Sequence, residues 1–173
     1  MAAVRVLQVV GFKNSGKTTL MLDLLKQATQ RGMAVSTVKH HGHGGALEMP
    51  SNETDSMRFF QKGASCSIVY GDGVVQIHQR KKQATLAELV AFASAENPEL
   101  VLVEGFKEAH YEKIVLLRSA EDWLELQKLE HIALVIAPEL LKLDNVPVIL
   151  QNDSKKLYFW FTNWMDGDSN EGI

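Results

Sequence analysis

Residues Gly11-Phe12-Lys13-Asn14-Ser15-Gly16-Lys17-Thr18 fit the spacing G-x-x-x-x-G-K-[ST], the pattern of a loop that cradles phosphate groups. Glycines at both ends let the backbone curl until successive N–H groups point inward at phosphate oxygens. A helix opening at Gly16 adds the positive end of its dipole. In such a loop Lys17 bridges the β- and γ-phosphates, and the Thr18 hydroxyl takes one position on Mg2+. A glycine turn that merely links strand to helix is the alternative. The context argues against it, because a β-branched run precedes the motif and a helical period follows it. The metal, or its water, also needs an acidic group at the end of a neighbouring strand. Leu100-Val101-Leu102-Val103-Glu104-Gly105 supplies Glu104 where a Walker-B aspartate normally sits. Asp55 opens a later helix, and either a switch-type Mg2+ contact or a plain N-terminal helix charge accounts for it.

Other residues cluster at ends of elements. Lys39 and the histidines at 40, 41 and 43 follow the second strand on the edge where open α/β sheets bind ligands. Substrate or phosphate contact, metal ligation and a solvated loop are all open readings for His40, His41 and His43; no cysteine lies near to complete a structural metal site. His78, His110 and His131 stand isolated in sequence and receive no role. Asn152-Asp153 follows the last strand. There Asp153 suits either a helix N-cap or an acceptor for guanine N1–H and N2–H2, which would leave adenine's groups unpaired. No full N-K-x-D box is present.

The elements that must position these residues read as an α/β domain. Val4 to Val10 is a buried parallel strand, Gly16 to Arg31 a helix closed by Gly32, and Met33 to Val38 a second strand, which together make a βαβ unit. About fifteen irregular residues then lead to a helix at Thr54, with the Thr54 hydroxyl expected as its cap; loops this long usually carry function. Cys66 to Tyr70 and Val74 to Gln79 flank a three-residue Gly71-Asp72-Gly73 hairpin turn. Thr85 to Ser94 reads as a helix and Leu100 to Val103 as a strand. Lys113 to Leu117 follows so closely that an antiparallel return is expected, and this strand and the hairpin make the sheet mixed. Glu121 to Leu129 is helical, Ile132 to Ile136 and Val146 to Leu150 are strands, and Asp153 to Met165 is a closing helix. In that helix Leu157, Trp160, Phe161 and Trp164 make a buried stripe. Tyr158 and Phe159 fall off the stripe, under a loop or at a subunit interface. The expected fold is a three-layer, P-loop NTPase-like domain over 1–165 with a mostly parallel, partly mixed sheet and a disordered tail at 166–173.

Composition narrows the class. The 173 residues suit one domain, and 46% hydrophobic content supports a sizeable core. Eighteen Lys+Arg against 21 Asp+Glu leave a formal charge of −3, with no like-charge block to track a nucleic-acid backbone. No stretch approaches the ~18 consecutive apolar residues of a membrane span. The single cysteine, Cys66, fits a reducing compartment. A cytoplasmic protein that binds neither nucleic acid nor membrane is expected.

Taken together, GFKNSGKTTL at Gly11 to Leu20, TVKHHGH at Thr37 to His43, TDSMRFFQKGA at Thr54 to Ala64 and LVLVEGFK at Leu100 to Lys107 resemble the MobB family, the molybdopterin-guanine dinucleotide biosynthesis accessory proteins. VPVILQND at Val146 to Asp153 adds a weaker fifth block. The resemblance implies a homodimeric GTP-binding protein with at most slow hydrolysis, assisting the enzyme that attaches GMP to molybdopterin. It implies phosphate binding by Gly11, Lys13, Asn14, Ser15, Gly16, Lys17, Thr18 and Thr19, with Lys17 and Glu104 the groups closest to any hydrolytic chemistry. It implies Mg2+ held through Thr18, Glu104 and Asp55, and a cleft lined by Lys39, His40, His43, Arg58 and Lys107; Asn152 and Asp153 stand as base readers or as a helix cap by their position after the last strand. The guanylyltransferase and molybdopterin-carrying enzymes are the implied partners. Two other readings stay open. A small-molecule kinase would need an arginine-bearing lid, for which Arg80-Lys81-Lys82 is a poor fit. A metallochaperone-type GTPase is suggested by the histidine loop.

Overall fold

The computed structural model describes residues 4–42 and 45–167. Arg5–Gly11 forms β1, and the switch to a helical period forms α1 over Lys17–Gln30. Gly32, at φ 81°, lets Met33 N–H reach Ala28 O while its own N–H reaches Thr29 O, the paired bonds of a Schellman stop. The chain continues through β2 (Val35–Lys39), α2 (Asp55–Gln61), β3 (Cys66–Gly71), β4 (Val74–Gln79) and α3 (Leu86–Ala93). Then come β5 (Leu100–Glu104), β6 (Glu112–Leu116), a 3-10 turn (Ala120–Asp122) running into α4 (Trp123–Leu126), β7 (Ile132–Ala137), β8 (Val148–Leu150) and α5 (Ser154–Asp166).

The chain forms two compact units, residues 41–85 making the second and the remainder the first. The first unit holds a six-stranded sheet in the order β2-β5-β1-β6-β7-β8. Its strands alternate between two cores. On one face Leu7, Val9, Leu102, Ile114 and Ile136 pack with α1 and with Trp160, Phe161 and Trp164 of α5. On the other, α3 covers Val101 and Val103, while Leu126 of α4 covers Val10, Val115 and Val135. This is the expected three-layer α/β arrangement. Of the α5 stripe Trp160, Phe161 and Trp164 are buried and Leu157 half-buried, and Tyr158 and Phe159 are exposed.

The expected direction of β6 is overturned. β6 does not return antiparallel; it pairs parallel to both β1 and β7, so every pairing in the six-stranded sheet is parallel. The connection is short because little distance is needed. β5 ends at Glu104, level with Val9, and β6 starts at Glu112, level with Leu7. Residues 105–111 therefore drop about 7 Å along the strands and cross about 10 Å of sheet, within their reach of about 23 Å. The positive φ of Gly105 and Phe106 starts the reversal, and the fully buried Gln8 fixes it by donating Nε2 to both their carbonyls at 2.9 Å.

In the second unit β3 and β4 form a separate antiparallel pair, the only antiparallel pairing among the described residues. Gly71 pairs with Val74, so the turn is the two residues Asp72-Gly73, both at positive φ, rather than three. The Thr54 hydroxyl does not cap α2; it donates to Ser51 O. Residues 168–173, most of the tail expected to be disordered, lie outside the described residues, and α5 runs through Asp166 to a left-handed stop at Gly167. Among the described residues no helix is long and apolar enough to cross a membrane.

Candidate phosphate and metal site

β1 ends inside the sheet and hands the chain to the glycine loop at the carboxyl edge of the strands, the edge that binds ligands in open α/β sheets. Gly11 is required by close approach: a Cβ there would stand 2.6 Å from Leu116 O and 2.7 Å from Ser15 Oγ. Asn14 at φ 62° and Gly16 at φ 91° supply the left-handed turns that curl the loop. Leu20 N–H then bonds Gly16 O at 3.0 Å as α1 begins. Inside the curl the Ser15 hydroxyl is buried without a hydrogen-bond partner. The Lys17 ammonium folds back to donate to Phe12 O at 2.7 Å. A buried unpartnered hydroxyl is costly in water's absence, and a phosphate oxygen is the kind of acceptor that would relieve it.

Glu104 is the hub of the site. β5 lies between β1 and β2, in register so that Glu104 sits beside both Val9 and Lys39. Its carboxylate is nearly buried, accepts from the Thr18 hydroxyl at 2.9 Å and takes the Lys39 ammonium at 2.8 Å. The same ammonium stands 3.4 Å from Thr18 Oγ1. A cation thus already bridges the hydroxyl and the carboxylate expected to hold Mg2+, and the donor set, all oxygen, suits that ion.

Positive charge gathers beside the loop, around Lys17. Desolvation lowers the pKa of Lys17 from its ordinary value; Glu104 opposes this, while Lys107, Lys39 and Arg118 add to it by repulsion. Lys39, Lys107 and Arg118 thus all lie near Lys17, in a chain whose net charge is −3. The Phe12 ring separates two of them, with Lys107 Nζ 4.7 Å and the Arg118 guanidinium 4.9 Å from its centroid. Asp122 aims Arg118 through two side-chain bonds of 2.9 and 2.7 Å. His40 stacks on Phe106 at 4.6 Å, and its N–H bonds Glu104 O.

Gly11, Ser15, Gly16, Lys17, Thr18, Lys39, His40, Glu104 and Lys107 thus meet at one sheet edge, with Lys13, Asn14 and Thr19 exposed on or beside the loop. Asp55 and Arg58 belong to the second unit, where they pair with each other at 3.5 Å. His41 is exposed there, and His43 lies outside the described residues. Asn152 is exposed in the turn after β8; Asp153 caps α5, accepting from Lys156 N–H at 3.1 Å. Arg80 is committed to α2, stacking on Phe60 at 4.2 Å and donating to its carbonyl. The sequence reading missed Phe12 as a spacer and the Arg118–Asp122 pair. The second carried a signal, since arginine and aspartate four apart just past a strand can meet across a single turn.

A sequence profile of the family described as "Molybdopterin guanine dinucleotide synthesis protein B" matches residues 6–137. The chain is 39% identical over 138 residues to the probable molybdopterin-guanine dinucleotide biosynthesis adapter protein of Bacillus subtilis, covering 78% of this chain and 79% of that protein. It is 27% identical to the adapter protein of Escherichia coli over 167 residues, 94% of each. Its fold matches the crystal structure of a MobB protein homolog from Bacillus stearothermophilus at TM-score 0.77 and 37% identity, across 94% of this chain and 98% of that one. With the profile covering most of its length and a glycine loop, Glu104 and Lys39 assembled at one edge, the chain belongs to the MobB family.

Proposed function

We propose that the chain binds GTP with Mg2+ in the glycine loop and serves as an accessory to the guanylyltransferase that joins GMP to molybdopterin. The observation that carries this reading is the group of cations around Lys17 on the glycine loop, together with the unpartnered Ser15 hydroxyl, an arrangement suited to a polyanion. The loop N–H groups and Lys17 bind the phosphates, and Lys17 leaves Phe12 O to do so. Thr18 and Glu104 hold Mg2+, which when bound neutralises phosphate charge. Lys39 gives up its place between them and is then free to meet phosphate or partner. Arg118, aimed by Asp122, approaches from the far side of Phe12. Asp153 reads guanine in addition to capping α5, and the partners include molybdopterin-carrying enzymes in the cytoplasm.

We also propose a homodimer. On the hairpin face away from α2, Ile68 pairs with Ile77 and Tyr70 with Val75, and all four are exposed, Tyr70 by 73%. A second copy covering this apolar face is the occupant supported, since a two-stranded sheet is marginal alone. The functional reading is tested by adding the protein, with Mg2+ and GTP, to the guanylyltransferase and molybdopterin. A faster formation of the dinucleotide that is lost with Lys17→Ala is expected; an unchanged rate overturns the accessory role.

A further inference from the structure

At the sheet edge opposite the glycine loop, where β6 and β7 begin, three side chains isolated in sequence come together. His110 comes from the β5–β6 connection, and Glu130 and His131 immediately precede β7. One imidazole nitrogen from each histidine and one carboxylate oxygen all lie within 4.8 Å of one another, and all three residues are exposed. His110 Nδ1 is already 2.8 Å from Glu130 Oε2, and the two rings stand edge to face at 6.2 Å.

The backbone beneath them is built rather than casual. His131 holds the left-handed conformation at φ 57°, which costs a side-chain-bearing residue and here turns its ring beside His110. Two residues on, the β6–β7 ladder carries a bulge, since Lys113 pairs with Ile132 and Ile114 with Leu134; bulges of this kind re-aim side chains. Below both loops lies Lys113, fully buried, its ammonium donating to Ala109 O at 2.8 Å and Glu130 O at 2.7 Å. A charge that deep needs such partners. The effect is to tie the residue before His110 to the backbone of Glu130, fixing the spacing of the ligand groups.

We infer that His110, Glu130 and His131 form a site for one divalent transition-metal ion of the zinc class, separate from the phosphate loop. Two imidazoles and a carboxylate favour Zn2+, Co2+ or Ni2+ over the oxygen-seeking Mg2+. Tetrahedral bonds of about 2.0–2.2 Å bring ligand atoms to about 3.3 Å from one another, a closure that side-chain rotation from the present spacing supplies. Three protein ligands leave a fourth position for water or for a donor group on another molecule.

The test titrates tag-free, full-length protein with Zn2+ against a chromophoric chelator, and with Co2+ while recording its visible spectrum. One equivalent is expected to bind, with a tetrahedral Co2+ spectrum, and His110→Ala, Glu130→Gln and His131→Asn each to weaken binding at least tenfold. Asparagine tolerates the left-handed backbone at position 131, and Glu130→Gln leaves in place the main-chain carbonyl that Lys113 needs, so fold and GTP titration stay as in the parent. Replacing His40, His41 and His43 by Ala leaves the equivalent bound. No binding at one equivalent, or parental affinity in all three site variants, overturns the inference.

Discussion

Replacing Glu104 by Gln removes the charge at the centre of the phosphate site and little else. The amide is nearly the carboxylate's shape and still accepts from Thr18. Stability falls by only about 1 kcal/mol, because the Lys39 ammonium that pairs with Glu104 is 57% exposed and its attraction is screened. The ligand effects are larger and run in opposite directions. At an effective dielectric of about 40, a carboxylate attracts a dication about 4 Å away by about 4 kcal/mol, and breaking the screened Lys39 pair takes back about 1 kcal/mol. The difference of about 3 kcal/mol makes Mg2+ binding to the GTP complex about a hundredfold weaker in the variant. Without metal the sign reverses. A γ-phosphate charge about 6 Å from the lost carboxylate gains about 1.4 kcal/mol, or about tenfold in affinity. Titration of a fluorescent GTP analogue, in chelator and then across a Mg2+ series, reads both quantities. Metal-free affinity that is unchanged or weaker, together with an unshifted Mg2+ midpoint, refutes the assignment of Glu104 to the metal.

Two further outcomes follow from the same geometry. Desolvation and neighbouring cations hold the Lys17 pKa below the usual 10.5, so the unliganded protein gains stability as pH rises from the lowered value toward 10.5. GTP affinity falls over the same window as Lys17 loses its proton, and a Lys17→Arg comparison, which stays charged, shows no such fall; identical pH profiles contradict this. Asp153→Ala removes the bond to Lys156 N–H and costs about 1 kcal/mol of stability by thermal melting. The same variant loses preference for GTP over ATP in a competition titration, and an intact preference leaves Asp153 a cap alone.

Much of this was legible in the chain because the signals are local. The loop spacing, the β-branched runs on either side of it and the stop at Gly32 each depend on residues within a few positions of one another. Glu104 was legible as a strand end. Its pairing with Lys39 needed the strand order, which sequence leaves open, since β2 and β1 both flank β5. The direction of β6 was misread because short connections usually join antiparallel strands, whereas here the two strands are offset in height and Gln8, nearly a hundred residues away, fixes the turn. The same limit hid the histidines. His110 and His131 stand 21 positions apart, and only the adjacent starts of β6 and β7 bring their rings together. Phe12 was visible as a loop residue, but its part in holding Lys107 and Arg118 apart depends on two other elements meeting over its ring.

The central claim is that the glycine loop is a GTP site, and calorimetric titration of the purified protein with GTP and then ATP, each with Mg2+, tests it most directly. The geometry of Ser15, Lys17, Thr18 and Glu104 predicts one nucleotide per chain and loss of binding in a folded Lys17→Ala variant, and the proposed base contact of Asp153 predicts tighter binding of GTP than of ATP. Absence of heat with either nucleotide, a preference for ATP, or parental affinity in Lys17→Ala would contradict it.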